Sequence, residues 1–125
     1  MLNILSEKIL NFEEEIEVGN IFYTNGHYLK AKDIFLSILK KRSFDKKIYY
    51  SLGICFKMLK DFEKASFCFE AALFLDKDDL SFYLHLAESL ITLGEKEKAL
   101  SLLKKSPRAN CEISNKIKLL IDRIS

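Results

Sequence analysis

Residues 46–79 read KKIYYSLGICFKMLKDFEKASFCFEAALFLDKDD, and the spacing within them decides the fold of the whole chain. Gly53 is followed three residues later by Phe56, and Ala65 is followed four residues later by Phe69. Residues three or four apart lie on the same face of an α-helix. The stretch therefore predicts two helices, each with a small residue and an aromatic residue on the face that packs against the other.

The same spacing recurs before and after this stretch with a period of 34 residues. Four registers share the period: Gly19, Gly53 and Ala87; Phe22, Phe56 and Leu90; Ala31, Ala65 and Ala99; Phe35, Phe69 and Leu103. Four registers in one phase indicate an internal repeat. A 34-residue period with these small and aromatic positions resembles the tetratricopeptide pattern, in which each repeat is an antiparallel helix pair.

Each register has a physical reason in the packing of the helix pair. A small residue such as Gly53 lets the second helix approach closely, because a larger side chain would push the pair apart. Phe69 and its equivalents are expected to fill the space between one unit and the next. The predicted helices cover about residues 12–25, 28–41, 46–59, 62–75, 80–93 and 96–106.

One more helix is predicted after the third unit. Pro107, the single proline, falls where that unit should stop. From Asn110 onward one side of the chain is apolar, through Ile113, Ile117, Leu120, Ile121 and Ile124. An amphipathic end helix of this kind closes the core of a repeat array.

The predicted architecture is a single all-α domain over residues 1–125. It is a right-handed solenoid of three helix-turn-helix repeats with a C-terminal capping helix. The repeats are expected at about residues 12–45, 46–79 and 80–109, and the capping helix at about 110–124.

The start of the chain carries a separate expectation. Leu2, Leu5, Ile9 and Phe12 fall on one helical seam, so residues 2–11 are expected to pack on the first unit or on a second chain. There is no basic segment followed by an apolar run and a cleavage site, and no apolar stretch approaches a membrane span. The protein is therefore expected to stay in the cytoplasm, without stable insertion into a membrane.

The charge balance bears on the kind of partner. The formal net charge is +2, from 20 basic and 18 acidic residues, which gives no global electrostatic reason to expect nucleic acid. The charge is uneven, since residues 13–17 are acidic and residues 40–47 are basic. Such runs are typical of solvated helix faces, and the alternative is a binding patch at 40–47.

The cysteines and histidines give little chemistry. Cys55, Cys68 and Cys111 contain no C-x-x-C pair and are expected to be free thiols in a reducing compartment. His27 falls in a turn and His85 inside a helix, and neither is expected to have a cysteine or carboxylate nearby at metal-ligand spacing. With no phosphate loop, G-x-S-x-G or H-E-x-x-H motif, the sequence predicts no enzyme, cofactor or metal.

Function is then expected on the concave face, which the first helix of each unit lines in this architecture. The candidate partner-binding residues there are Ile16, Asn20, Tyr23, Tyr50, Ile54, Met58, Leu84 and Ile91. Most are apolar or aromatic, so we expect an apolar segment of another protein to cover them. The alternative is that several are half-buried between adjacent helices or covered by residues 1–11.

Three runs in the sequence are similar to one family. They are IFYTNGHYLKA at 21–31, YYSLGIC at 49–55 and AESL at 87–90. Over about residues 14–105 the chain resembles the class II chaperones of bacterial type III secretion, the SycD/LcrH-like group. The resemblance implies a cytoplasmic bacterial protein that holds a secreted hydrophobic protein, or an extended proline-bounded segment of it, before export.

The same resemblance bears on individual residues and on assembly. It implies groove positions at Ile16, Asn20 and Tyr23 on the first unit, of which only Tyr23 is aromatic, and at Tyr50 on the second. It leaves open a homodimer or a hetero-complex with another chaperone. The alternative function is a general tetratricopeptide scaffold for the assembly of a multiprotein complex, which would bind through the convex face or residues 40–47.

Overall fold

The computed structural model describes residues 10–42 and 44–125, which form helices joined by short turns. The helices are α1 (Phe12–Thr24), α2 (Tyr28–Lys41), α3 (Lys46–Met58), α4 (Phe62–Leu75), α5 (Leu80–Thr92), α6 (Lys96–Lys104) and α7 (Glu112–Ile124). Successive helices pack as three pairs, and α7 packs on both helices of the third pair. The predicted all-α solenoid with a capping helix is confirmed, and each helix bound lies within two residues of its predicted position.

A glycine on the first helix of a pair receives an aromatic ring from the second helix. A Cβ atom on Gly53 would lie 2.6 Å from Cε1 of Phe69, and one on Gly19 would lie 2.7 Å from Cε1 of Phe35. Both rings are fully buried. Because real Cβ contacts are longer than this, the close approach of the two helices requires glycine.

The third pair solves the same packing problem with different residues. Ala87 and Leu103 stand where the other pairs have glycine and phenylalanine, and both are buried in the core. Ala87 adds a methyl group where the other pairs have glycine, and Leu103 is smaller than the phenylalanine it replaces, so the smaller side chain leaves room for the methyl group. Phe69 also reaches the next pair, because its ring stacks on that of His85 with 5.5 Å between centroids. The prediction that this residue fills the space between units is confirmed.

Capping side chains mark the start of each first helix. Asn11, Asp45 and Asp79 are again 34 residues apart, and each accepts a hydrogen bond from a backbone N–H in the first turn of its helix. Asp61 caps α4 in the same way. Each such cap contributes about 1 kcal/mol to helix stability.

The turns inside the three pairs share one backbone conformation. Gly26, Lys60 and Gly94 occupy equivalent positions, with φ angles of +79°, +64° and +82°. Only glycine adopts this left-handed region without steric strain. The second turn therefore holds a lysine under a strain that the other two turns avoid.

The capping helix is amphipathic in the predicted sense. Ile117 and Ile124 are buried against the third pair. The polar side of the helix is exposed: Asn115, Lys116, Lys118, Asp122 and Arg123. The sequence predicts that residues 2–11 pack on the first unit or on a second chain. Most of this segment belongs to residues 1–9, which lie outside the described residues. Among the helices described, none is long and apolar enough to cross a bilayer.

Replacing Gly53 by Ala is expected to destabilise the protein by a net amount of about 1–2 kcal/mol, because the new methyl group must displace a buried ring. The better helix propensity of alanine offsets only about 1 kcal/mol of the clash. Adding Phe69→Leu should recover much of the loss, since it reproduces the Ala–Leu pair of the third unit. Urea unfolding of both single variants and the double variant measures this coupling, and additive losses would contradict it.

Lys60→Gly is expected to stabilise the protein by about 0.5–1 kcal/mol. Glycine removes the strain of a Cβ atom at positive φ, while the extra freedom of the unfolded chain offsets part of the gain. The reciprocal change, Gly26→Lys, should destabilise the protein by a similar amount. Thermal unfolding compares the two, and an unchanged midpoint for Lys60→Gly would show that the turn is not strained.

Candidate functional site

The first helices of neighbouring pairs meet through their side chains. The Tyr50 ring on α3 lies 5.4 Å from the His85 ring on α5, and Lys57 Nζ on α3 donates to Glu88 Oε1 on α5 at 3.1 Å. The first helices of the pairs, α1, α3 and α5, present one surface to solvent, which we call the inner surface. The second helices, α2, α4 and α6, present the opposite surface, which we call the outer surface. The candidate residues from the sequence lie on the inner surface.

The candidates differ in how far they are exposed. Met58 is 52% exposed and Asn20 is also exposed. The other six are half-buried: Ile16, Tyr23, Tyr50, Ile54, Leu84 and Ile91. Each of these six packs against the core with part of its side chain and presents the rest to the surface. Their assignment as partner-binding residues stays a prediction.

Tyr23 and Tyr50 are fixed by neighbouring rings. The Tyr50 centroid lies 5.4 Å from that of Phe82 and 6.0 Å from that of Phe69, and Tyr23 meets Phe35 edge-on at 6.5 Å. Burial raises the pKa of both tyrosine hydroxyls above the ordinary value, and the nearby Tyr50 raises that of Tyr23 further. Both hydroxyls are therefore neutral at physiological pH and able to donate a hydrogen bond.

Two shallow hollows hold other candidates. Ile16 and Asn20 share a hollow of about 410 Å³ on α1 with Thr24. Leu84 lies in a separate hollow of about 200 Å³, which Leu120 of the capping helix also lines. The structure thus brings Ile16 to Asn20 and places Leu84 near α7, at the far end of the array.

A polar cluster between α3 and α5 was missed from the sequence. Lys57 Nζ lies 3.2 Å from His85 Nδ1, and Glu88 Oε1 lies 3.6 Å from the same nitrogen. The expectation that His85 has no nearby carboxylate is therefore wrong, and the three-residue spacing of His85 and Glu88 on one helix was the available signal. Burial lowers the pKa of His85, the Lys57 ammonium lowers it further, and Glu88 partly opposes both.

The cysteines are free thiols, as predicted. Cys55 and Cys68 are buried, and burial raises the pKa of Cys55 to about 11 and that of Cys68 to about 12. Cys111 is exposed. No group of three or more metal-ligating side chains is present in residues 10–42 and 44–125.

Basic residues of segment 40–47 are partly engaged within the protein. Lys41 pairs with Glu15 on α1, and Lys46 pairs with Asp76 at the end of α4, each at 2.5 Å. These pairs link the ends of helices. They leave fewer charges for a binding patch than the sequence alone suggests.

A second surface was not predicted at all. A cleft of about 520 Å³ opens on the outer surface between α4 and α6, and we call it the outer cleft. Phe74 lines it and is 78% exposed. The available signal was the seven-residue spacing of Phe67 and Phe74, on the side of α4 opposite the buried Ala65 and Phe69.

Comparison with known proteins bears on the fold first. Residues 46–79 match the family model of the tetratricopeptide repeat. The second helix pair is a tetratricopeptide repeat. The mouse protein described as "BBSome complex member BBS4" (Mus musculus) is 30% identical over 90 residues, which are 72% of this chain and 17% of that protein. The chain thus spans less than a fifth of the length of that curated relative.

Solved structures of similar shape include SycD and PcrH. SycD of Yersinia enterocolitica, a type III secretion chaperone in complex with a peptide of the translocator YopD, has a TM-score of 0.81 and 21% identity, covering 90% of each chain. PcrH of Pseudomonas aeruginosa, in complex with the chaperone binding region of PopD, has a TM-score of 0.79 and 22% identity, covering 90% of this chain and 89% of that one. The resemblance in fold to the class II chaperones is confirmed.

Acid is expected to destabilise the native protein more than a His85→Gln variant. Because the pKa of His85 in the folded state lies below the ordinary value of 6.5, the unfolded state binds the proton first as the pH falls. The contribution of His85 to stability is therefore complete above about pH 6.5 and decreases below it. Urea unfolding of both proteins at neutral and mildly acidic pH measures the difference, and parallel losses would contradict it.

Proposed function

We propose that the protein holds an extended apolar segment of another protein on its inner surface. The observation that carries this proposal is the set of half-buried apolar and aromatic side chains there, which Tyr23, Tyr50, Ile54, Leu84 and Ile91 represent. Each is anchored in the core and still presents part of its surface outward. Such rigid, amphipathic surface is well suited to binding an extended peptide.

The proposed partner is a secreted, membrane-active protein, held in the bacterial cytoplasm before export. The peptide complexes of SycD and PcrH, which share this fold, support that choice. The mechanism is passive, because covering apolar cargo surface is sufficient to prevent aggregation or premature insertion into a membrane. It uses no nucleotide and no cofactor. A homodimer or a hetero-complex with another chaperone is compatible with this role.

The cluster of Lys57, His85 and Glu88 would add a polar contact to the apolar groove. Lys57 donates to Glu88, so its ammonium group is held at the junction of α3 and α5. An extended segment that crosses this junction meets an ion pair between apolar positions. The proposed groove therefore favours a segment with a polar group at that point, because both members of the pair can form a further hydrogen bond.

A scaffold for a multiprotein complex is the second candidate function. The observation that favours it is the identity with BBS4, which is itself described as a member of a complex. In this case binding would use the outer surface or residues 40–47. Lys40 and Lys47 are the exposed lysines to test there, since Lys41 and Lys46 already have ion-pair partners.

Met58→Glu and Leu84→Glu are each expected to weaken binding of an extended apolar peptide by roughly 30-fold, equivalent to about 2 kcal/mol. The probe is a fluorescein-labelled peptide of about twelve residues, with apolar residues at alternate positions and proline at both ends. Fluorescence anisotropy measures its affinity for the full chain. Circular dichroism and thermal unfolding establish that both variants are folded.

Matched controls separate the two candidate functions. Leu29→Glu places the same charge on an exposed apolar residue of α2 and should leave peptide binding unchanged. Lys40→Glu with Lys47→Glu should also leave it unchanged, although this change would weaken scaffold contacts. Equal affinity of the Met58→Glu and Leu84→Glu variants and the native protein would overturn the inner-surface assignment.

A further inference from the structure

The outer cleft is an apolar depression between the second helices of the last two pairs. α4 and α6 form its walls, and α5 lies at its base. Its apolar lining is Leu73, Phe74, Leu86, Leu90 and Leu102. Leu86 and Leu90 belong to the buried core, whereas Phe74 is 78% exposed. A large exposed ring beside an apolar base is typical of a surface that another molecule covers.

The apolar edge of the cleft extends along α4. Phe67 is 69% exposed and lies two helical turns before Phe74, on the same stripe of the helix. The core stripe of α4 already contains Ala65, Phe69 and Ala72, which are fully buried. The two exposed rings are therefore additional to what the packing of the repeat requires.

Positive charge is concentrated at the carboxyl end of the cleft. Lys77 follows α4 and Lys105 ends α6, and neither forms an ion pair with any carboxylate of the described residues. At the other end Lys98 pairs with Glu95 at 2.8 Å and lies near Glu70. The unpaired positive charge of the cleft therefore lies at its carboxyl end, on Lys77 and Lys105.

The groups near these two lysines do not remove that excess. The Tyr83 hydroxyl donates to the backbone carbonyl of Lys77 at 2.9 Å, and the Asp78 carboxylate lies near the same hydroxyl. The residues that line the cleft include three lysines and one carboxylate, that of Glu70. A partner that supplies further carboxylates would balance this end of the cleft.

The dimensions of the cleft suit a short helix. α6 contains nine residues, which corresponds to about 14 Å of wall, or between two and three helical turns. A helix lying in a groove between two others presents apolar residues at i, i+3 or i+4 and i+7. Such a helix can cover the leucines and Phe74 along one face and place acidic residues at one end.

We propose that the outer cleft binds an amphipathic helix of a partner protein, with its apolar face over Phe74 and the leucines and its acidic side chains against Lys77 and Lys105. This binding is separate from the proposed inner-surface function, so the protein can hold an extended segment and a helical partner at the same time. The chemistry of the partner is defined by the cleft: apolar anchors on one face and carboxylates at the lysine end.

The test uses a synthetic helical peptide of about fourteen residues with leucines on one face and glutamates on the other. A second peptide carries lysines in place of the glutamates. Fluorescence anisotropy with the full chain should show saturable binding of the acidic peptide and at least tenfold weaker binding of the basic one. High salt should weaken binding of the acidic peptide, because the Debye length shrinks to about 3 Å at 1 M.

Variants of the cleft identify where the peptide binds. Phe74→Ala, and separately Lys77→Glu with Lys105→Glu, should each weaken binding by roughly tenfold or more. Leu29→Ala removes an exposed leucine elsewhere, and Lys40→Glu with Lys118→Glu makes the same change in net charge. Both controls should bind as the native protein does. Since the altered cleft side chains lie at the surface, circular dichroism should report unchanged folding.

Four results would overturn the proposal. The first is no saturable binding of the acidic peptide, and the second is equal binding of the acidic and basic peptides. The third is retained binding in the Phe74→Ala variant together with loss in the inner-surface variant Met58→Glu. If sedimentation equilibrium instead shows a dimer that Phe74→Ala dissociates, the cleft binds a second copy of this chain and the helix proposal is wrong.

Discussion

Contact between a glycine on one helix and an aromatic ring on the next determines the geometry of the array. Because Gly53 has no Cβ, the Phe69 ring occupies the space where a side chain would begin, and the two helices approach closely. The same ring continues to His85 in the next pair. One side chain therefore fixes both the distance within a pair and the step to the following pair. The same step sets the distance between the first helices on the inner surface, because Tyr50 packs against both Phe69 and His85.

The sequence predicts the core well because each core position accepts only a narrow range of sizes. Gly19, Gly53 and Ala87 recur for this reason, and the buried side of α7 is predictable from its apolar stripe. The helix caps have the same period, since Asn11, Asp45 and Asp79 each begin a first helix. Because the caps and the core positions share one period, the fold can be predicted from this single sequence.

Polar contacts between helices join residues that are far apart in sequence, and no local pattern reveals which residues meet. Lys57 meets Glu88 across 31 residues, and Lys41 meets Glu15 across 26, so neither contact has a helical periodicity that could reveal it. For the inner surface, the sequence predicts which residues lie there but not how far each one is exposed. How deeply each of them is buried depends on the angle between neighbouring pairs, which the period does not specify. The outer cleft depends on the same angle, because its walls belong to different pairs.

Contacts between the described helices are mainly those of neighbours along the chain, and α7 packs only on the last pair among its main contacts. A protein built from such short-range contacts has a low contact order, and chains of this kind fold in microseconds to milliseconds. Its stability is shared between neighbouring units rather than across one common interior. Opening can begin at either end and stop at the middle pair, which is supported on both sides. Amide exchange is therefore expected to be slowest in α3 and α4, and Tyr50 and Lys57 lie in that most stable part.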